Sequence, residues 1–232
     1  MKLNFRNIVS FTLLVMLFSC EVPYKDNARL LIKGQVLDEN SQPISGANIS
    51  ILAREGVSFL SGSATTLLNE IESLSDGSFS TIMLLPLDEN FAIEVAVNTD
   101  YSLYQYRTNT LTFTPDNYLI DLGTVPIRRN AIMDYNIVRE NVSNTAFTYT
   151  FHYQFNQCVE IYANDELDVD ETFCFEMTSR GRSLSNDNPN DMGNFITPLG
   201  SEVVFTYSTN GQPEESQTII IDETTNEFNF SY

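Results

Sequence analysis

The chain has 232 residues, with 12 Lys+Arg against 31 Asp+Glu and a formal net charge of −19. So negative a chain repels nucleic acid and anionic lipid headgroups, and the charged ligands left to it are cationic partners and calcium. A hydrophobic content of 42%, with 12% aromatic residues, belongs to a folded chain and excludes a disordered acidic tail.

Residues 1–19 are built differently from the rest. Lys2 and Arg6 give a basic start with no acid, and Ile8 to Phe18 are apolar except for Ser10 and Thr12. A membrane-spanning helix needs roughly 20 apolar residues, so this shorter run reads as a secretory signal peptide. Leu17-Phe18-Ser19-Cys20 resembles a lipobox, with Leu three before the cysteine and a small residue directly before it; Phe18 is bulkier than the usual residue. The resemblance implies cleavage before Cys20, diacylation of its thiol and attachment to a membrane by lipid alone. Loss of Lys2 and Arg6 with the signal takes the net charge to −21. Residues 20–28 are expected to be a short polar tether.

From Arg29 onward the pattern is of strands and turns. Leu30–Val36 and Ala47–Ala53 are β-rich and are separated by Asp38-Glu39-Asn40-Ser41-Gln42-Pro43, a dense cluster of turn formers. Val57 to Glu72 is the one stretch where a short helix competes with a loop. Ser78–Leu85, Phe91–Val97, Tyr101–Arg107, Thr110–Thr114 and Tyr118–Val125 then read as strands bounded by Asp, Asn, Pro or Gly.

Three pieces of this half occur in a telling order: Gly34-Gln35-Val36-Leu37-Asp38, Pro43-Ile44-Ser45-Gly46-Ala47-Asn48-Ile49, and Asp76-Gly77-Ser78-Phe79. Gly34 permits a close approach at a strand, Pro43 and Gly46 turn the chain, and Asp76-Gly77 supplies a positive-φ turn before Phe79 enters the core. Together they resemble the carboxypeptidase-regulatory-like domain, a transthyretin-like β-sandwich, over residues 29–128. The stretch between Ala53 and Asp76 is longer than a minimal member needs. The resemblance implies an accessory module and no catalytic residue.

Pro126-Ile127-Arg128-Arg129-Asn130 is the expected domain boundary, locally basic within an acidic chain. Residues 129–232 carry runs at Thr145–Asn156, Val159–Tyr162, Glu171–Met177, Glu202–Ser208, Gln217–Asp222 and Glu227–Tyr232 that read as antiparallel strands of a second β-sandwich. The expected fold class is therefore all-β, with two β-sandwich domains in tandem after a lipoprotein signal peptide.

Phe147, Tyr149, Phe151, Tyr153 and Phe155 alternate with polar residues, so one face of a strand carries them all. That face serves as a sandwich core, or as an exposed platform on which Tyr149 and Tyr153 stack against sugar rings; a barrel strand alternates in the same way but fits poorly behind a lipobox. With Cys20 used by lipid, Cys158 and Cys174 remain as an even pair, in apolar segments, suited to a disulfide in an oxidising compartment. Two buried free thiols are the alternative. The acid-rich turn Asn164–Glu171 offers Asp165, Asp168 and Asp170 as calcium ligands, without the spacing or glycine of an EF-hand loop, and otherwise is a solvated surface; Asn186–Asp191 is a second Asx-rich loop read the same way. Zinc is disfavoured, since His152 is the sole histidine and no Cys-x-x-Cys occurs. No Gly-x-Ser-x-Gly, phosphate-binding glycine loop or basic aromatic patch is present, and paired carboxylates are unavoidable among so many acids. These features point to a non-catalytic binding, adhesion or structural module at the cell envelope, held to a membrane through the lipid on Cys20 and with an envelope protein or glycan as its expected partner. A glycan-binding lipoprotein serving uptake is the runner-up, and a hydrolase comes third. No cofactor beyond calcium is expected.

Overall fold

The computed structural model describes residues 22–54, 65–140 and 146–232; the signal segment, Cys20 and residues 57–64 lie outside the described residues. Period-two alternation becomes strand almost throughout, because successive residues of an extended chain face opposite ways. In chain order the strands are β1 (Tyr24–Leu37), β2 (Asn48–Arg54), β3 (Thr65–Glu72), β4 (Ser78–Pro86), β5 (Phe91–Ala96), β6 (Leu103–Thr108), β7 (Leu119–Pro126), β8 (Asn130–Val138), β9 (Phe147–Gln154), β10 (Gln157–Ala163), β11 (Glu166–Leu167), β12 (Phe173–Cys174), β13 (Met177–Leu184), β14 (Asp191–Pro198), β15 (Glu202–Thr209), β16 (Glu215–Ile220) and β17 (Thr225–Ser231). Among the described residues no helix is long and apolar enough to cross a membrane, which leaves β-barrels unaddressed.

The first sandwich packs a β4-β1-β7 sheet against a larger sheet ordered β11-β10-β6-β5-β2-β3, with β12 beside β10. Leu30 and Ile32 of β1 meet Ile49 and Ile51 of β2 and Ile93 and Val95 of β5, all fully buried. Each such side chain stabilises by about 1.5–3 kcal/mol on transfer from water. Three turns behave as their residues demand. The Asp38 carboxylate accepts the amide protons of Asn40 and Gln42, each at 2.8 Å, and holds the turn after β1. Gly77 has φ +77°, and a Cβ there would lie 2.5 Å from the Val36 carbonyl oxygen. Gly46, at φ +73°, closes the approach to β2.

Gly34 has a different task. It sits opposite Phe79 across β1 and β4, and a Cβ would come within 2.7 Å of the Phe79 ring and 3.2 Å of Leu122. Its missing side chain is the space into which the buried Phe79 ring folds. A Gly34→Val variant is expected to lose about 1–3 kcal/mol by overpacking, read as a lower urea midpoint at unchanged slope.

Several elements differ from expectation. Tyr24 to Ala28 are part of β1 rather than tether; Val22 and Ala28 are buried, and the Leu87 amide donates to the Pro23 carbonyl at 2.8 Å. Thr65–Glu72 is strand, not helix or loop. A register shift against β2 leaves Leu68 as an extra residue, a bulge that brings Leu68 and Ile71 onto the core side although they are three apart. That spacing imitates a helix in the sequence. Thr110–Thr114 is not strand: residues 110–112 form a turn, where the Asn109 carboxamide oxygen accepts the amide protons of Leu111 and Thr112.

The second sandwich packs β13-β9-β15-β16 against β14-β8-β17. Met133, Tyr135 and Ile137 of β8 meet Phe147, Tyr149 and Phe151 of β9 and Val203 and Phe205 of β15 in its core. Strands β13 and β14 have no counterpart among the runs expected from the sequence. Met177–Leu184 reads Met-Thr-Ser-Arg-Gly-Arg-Ser-Leu, mostly polar because only its end reaches the core, and most of it is exposed.

Candidate functional site

The chain passes from the first sandwich to the second at Pro126–Asn130, but it then returns. Between β9 and β13, both in the second sandwich, residues 155–176 reach back to the first. There β10 pairs in parallel with β6, from Gln157 opposite Leu103 to Tyr162 opposite Thr108. The pairing thus crosses the boundary expected between residues 128 and 129. The base of this strap is closed where the Phe155 amide donates to the Glu176 carbonyl at 2.8 Å, and the Phe175 amide to Gln157 at 2.9 Å. Cys158 and Cys174 face each other on β10 and β12 and are bonded as a disulfide. Cys158 and Phe175 are buried in the first sandwich's core.

Basic residues of the linker lock the two bodies from the other side. Arg129 pairs with Glu39 at 2.7 Å, the Arg128 guanidinium lies 4.2 Å from the Phe175 ring centre, and the Asn130 carboxamide donates to the Tyr101 carbonyl at 2.7 Å. Arg128 also donates to the Gln154 carboxamide oxygen at 3.3 Å. The locally basic stretch is therefore mortar between acidic bodies, and its charges are used within the chain.

Aromatic hydroxyls mark two further polar clusters that sequence reasoning missed. Tyr104 donates to Glu160 at 2.7 Å, tying β6 to the strap. In the second sandwich Asp191 accepts hydrogen bonds from Tyr149 and Tyr135 while Arg182 donates to its other oxygen at 2.8 Å. No alternation or spacing in the sequence joins Asp191 to tyrosines 42 and 56 positions away. Both clusters brace neighbouring strands against one another. Burial first, and Glu160 second, push the Tyr104 phenol far above its ordinary range. An unfolded tyrosine ionises near pH 10 while the folded one stays protonated, so this contribution is complete below about pH 10 and is lost as pH rises beyond it. Urea midpoints taken across that range are expected to hold steady and then fall, and less steeply in Tyr104→Phe.

The expected site residues are placed as follows. Phe147, Tyr149 and Phe151 are buried, so the β9 face is core and Tyr149, 4% exposed, has no ring face to offer a sugar. Tyr153 is half-buried and stacks on Phe195 with ring centres 4.1 Å apart. The two therefore form no stacking platform. His152 points to the opposite face, beside Val204 and Ser179 in the register. Asp165, Asp168 and Asp170 do not converge: among the described residues no three His, Cys, Asp or Glu side chains are placed to hold a metal. Asp165 has φ +68° in the tight turn between β10 and β11, and the Asp168 carboxylate accepts the Asp170 and Glu171 amide protons at 3.1 and 3.3 Å. The acids here shape the turn.

No family model matches the sequence, and comparison with curated proteins gives no match. Among solved structures similar to this chain are the Bacillus anthracis TIE protein (11% identity, 89% of this chain and 34% of that one, TM-score 0.31), the shaft pilin SpaA from Lactobacillus rhamnosus GG (7%, 88% and 97%, TM-score 0.28) and a streptococcal ancillary pilin (11%, 89% and 63%, TM-score 0.29). The chain spans about a third of the TIE protein and under two thirds of the ancillary pilin. Likeness at this level concerns the all-β build alone.

Proposed function

We propose that this chain is a lipoprotein of the cell envelope, anchored by lipid on Cys20 in the outer membrane, whose body is a non-catalytic structural or adhesive accessory module. The observation that carries the reading is the strap: a main-chain ladder from the second sandwich, stapled by Cys158–Cys174, completes the first sandwich's sheet. Enzymes place reactive groups in a cleft, whereas a spacer needs its units held at a fixed angle. A disulfide agrees with an oxidising compartment. Buried Tyr149 leaves the glycan-binding reading without its platform. The first sandwich is proposed to be carboxypeptidase-regulatory-like, supported by Gly34 under Phe79 and by the positive-φ turn at Gly77.

Lipid attachment is tested by replacing Cys20 with Ala. Two or three acyl chains, at about 0.8 kcal/mol per buried CH₂, anchor durably, and their loss is expected to move the body wholly into the soluble fraction. Retention of Cys20→Ala in detergent-extractable membrane sinks the anchor.

A further inference from the structure

The two sheets of the second sandwich do not match in width. Facing pairs can be read from ring contacts: Tyr135 of β8 lies 5.0 Å from Phe151 of β9, and Phe228 and Phe230 of β17 lie 4.8 and 5.0 Å from Phe205 of β15. At the other side β13 meets β14 through the Arg182–Asp191 ion pair. Phe195 of β14 lies 4.1 Å from Tyr153 and 5.5 Å from Phe151, so β14 and β8 together cover β9 and β17 covers β15, while β13, joined by that ion pair, stays mostly exposed. Among the described residues nothing covers β16.

Burial shows the consequence. The register places Glu215, Gln217 and Ile219 of β16 on the same side as Tyr207, Phe205 and Val203, toward the facing sheet. Yet Glu215 and Gln217 are exposed, and Ile219, Tyr207, Phe228 and Phe230 are only partly buried. Beside this gap runs the outer edge of β17. The Tyr232 amide and carbonyl bond to Val138 and Glu140 of the β8 side. In a parallel ladder the residues between turn their amides and carbonyls the other way, so Glu227, Asn229 and Ser231 present theirs at the open edge. β17 carries no proline, lysine or inward charge, the devices that blunt edges.

We propose that this seam receives one extended segment of another protein, which pairs with β17 and roofs β16. One added strand makes the sandwich four on four. A second copy of this chain does not fit: joining two β17 edges would set each overhanging β16 on the ground already held by the other copy's β15, with strands needing about 4.8 Å each. Charge defines the guest further. At one end of the seam a groove of about 560 Å³ is lined by Asp222, Glu223 and Glu227 with Ile219 and Ile220. The guest is therefore apolar at alternate positions, to cover Tyr207 and Phe230, with Lys or Arg over the acids. This names a partner's chemistry for the accessory role but does not depend on the lipid anchor, so either can fail alone.

The probe is a synthetic peptide as long as β17, seven residues, alternating Val and Thr with one terminal Lys. It is added to the full chain while single-amide hydrogen exchange is followed by NMR. Slowed exchange at Glu227, Asn229 and Ser231, with Phe228 and Phe230 unchanged, is the expected result. Asn229→Pro removes one edge donor and no β8 bond, so it should fold and bind about tenfold more weakly or worse. Glu227→Lys, which leaves the edge intact, should lower the preference for the Lys peptide over one ending in Glu. No slowing at β17, slowing at another edge instead, or Asn229→Pro binding as well as wild type overturns the proposal. So does protection of these amides before peptide is added, which would place this chain's own segment or a second copy in the seam.

Discussion

Truncating Phe151 to Ala is expected to cost about 3–5 kcal/mol of folding stability, because a large ring leaves a cavity its neighbours fill only in part. Phe151 is fully buried at the centre of the second core. Its ring lies within 4.9–5.7 Å of five others, from Tyr135, Tyr149, Phe195, Phe205 and Phe228, and these come from four strands besides its own. Backbone ladders fix those strands, so the hole cannot close by a local shift. Tyr153→Ala is a graded control: its ring is half-buried, packs at the margin of the core and stacks on the Phe195 ring. Its loss should be distinctly smaller, about 1–2 kcal/mol. Equal melting of Phe151→Ala and wild type would return the β9 face to the surface and reopen it as a ligand platform.

Much of this fold is legible along the chain, and what is not has a physical cause. Strands half buried on one face show themselves by alternation, as β9 does from Phe147 to Tyr153, and turns by residues whose backbone they require, as at Asp76-Gly77. Edge strands give a weak signal. β13 is almost all polar since both its faces meet solvent until Leu184, and β3 hides behind its bulge at Leu68. Pairing across domains gives none: Val159–Tyr162 reads as a strand, but nothing in it says that its neighbour is Leu103–Thr108 rather than a strand of its own half. The same holds for the seam over β16, since strand counts in facing sheets are a property of topology. The acidic turn misled through composition. Asp is the ligand of choice for calcium and equally the residue that closes tight turns, and Asp168 is spent on amide protons.

Opening the strap is expected to weaken the first sandwich, although neither cysteine belongs to the sequence of its other strands. Cys158 and Cys174 are 16 apart, and a crosslink closing a loop of that size withholds chain entropy worth roughly 3 kcal/mol from the unfolded state. In the double variant Cys158→Ala with Cys174→Ala that restraint is gone and the buried Cys158 sulfur no longer fills the core beside Phe175. Strand β10 then holds to β6 through its ladder, the Tyr104–Glu160 hydrogen bond, the Thr108 hydroxyl donating to the Tyr162 carbonyl and the Tyr106–Tyr162 ring contact. If β10 detaches, β6 becomes an open edge and the two sandwiches keep only the linker contacts around Arg128 and Arg129. Urea unfolding of wild type should lose about 3 kcal/mol on reduction, while the double variant starts at the lower value and ignores the reductant. Small-angle scattering of the reduced protein in mild urea should show the two bodies moving apart before either unfolds. A midpoint that does not shift on full reduction would mean that β10 is held by packing alone, and that the disulfide fastens a strap already secure.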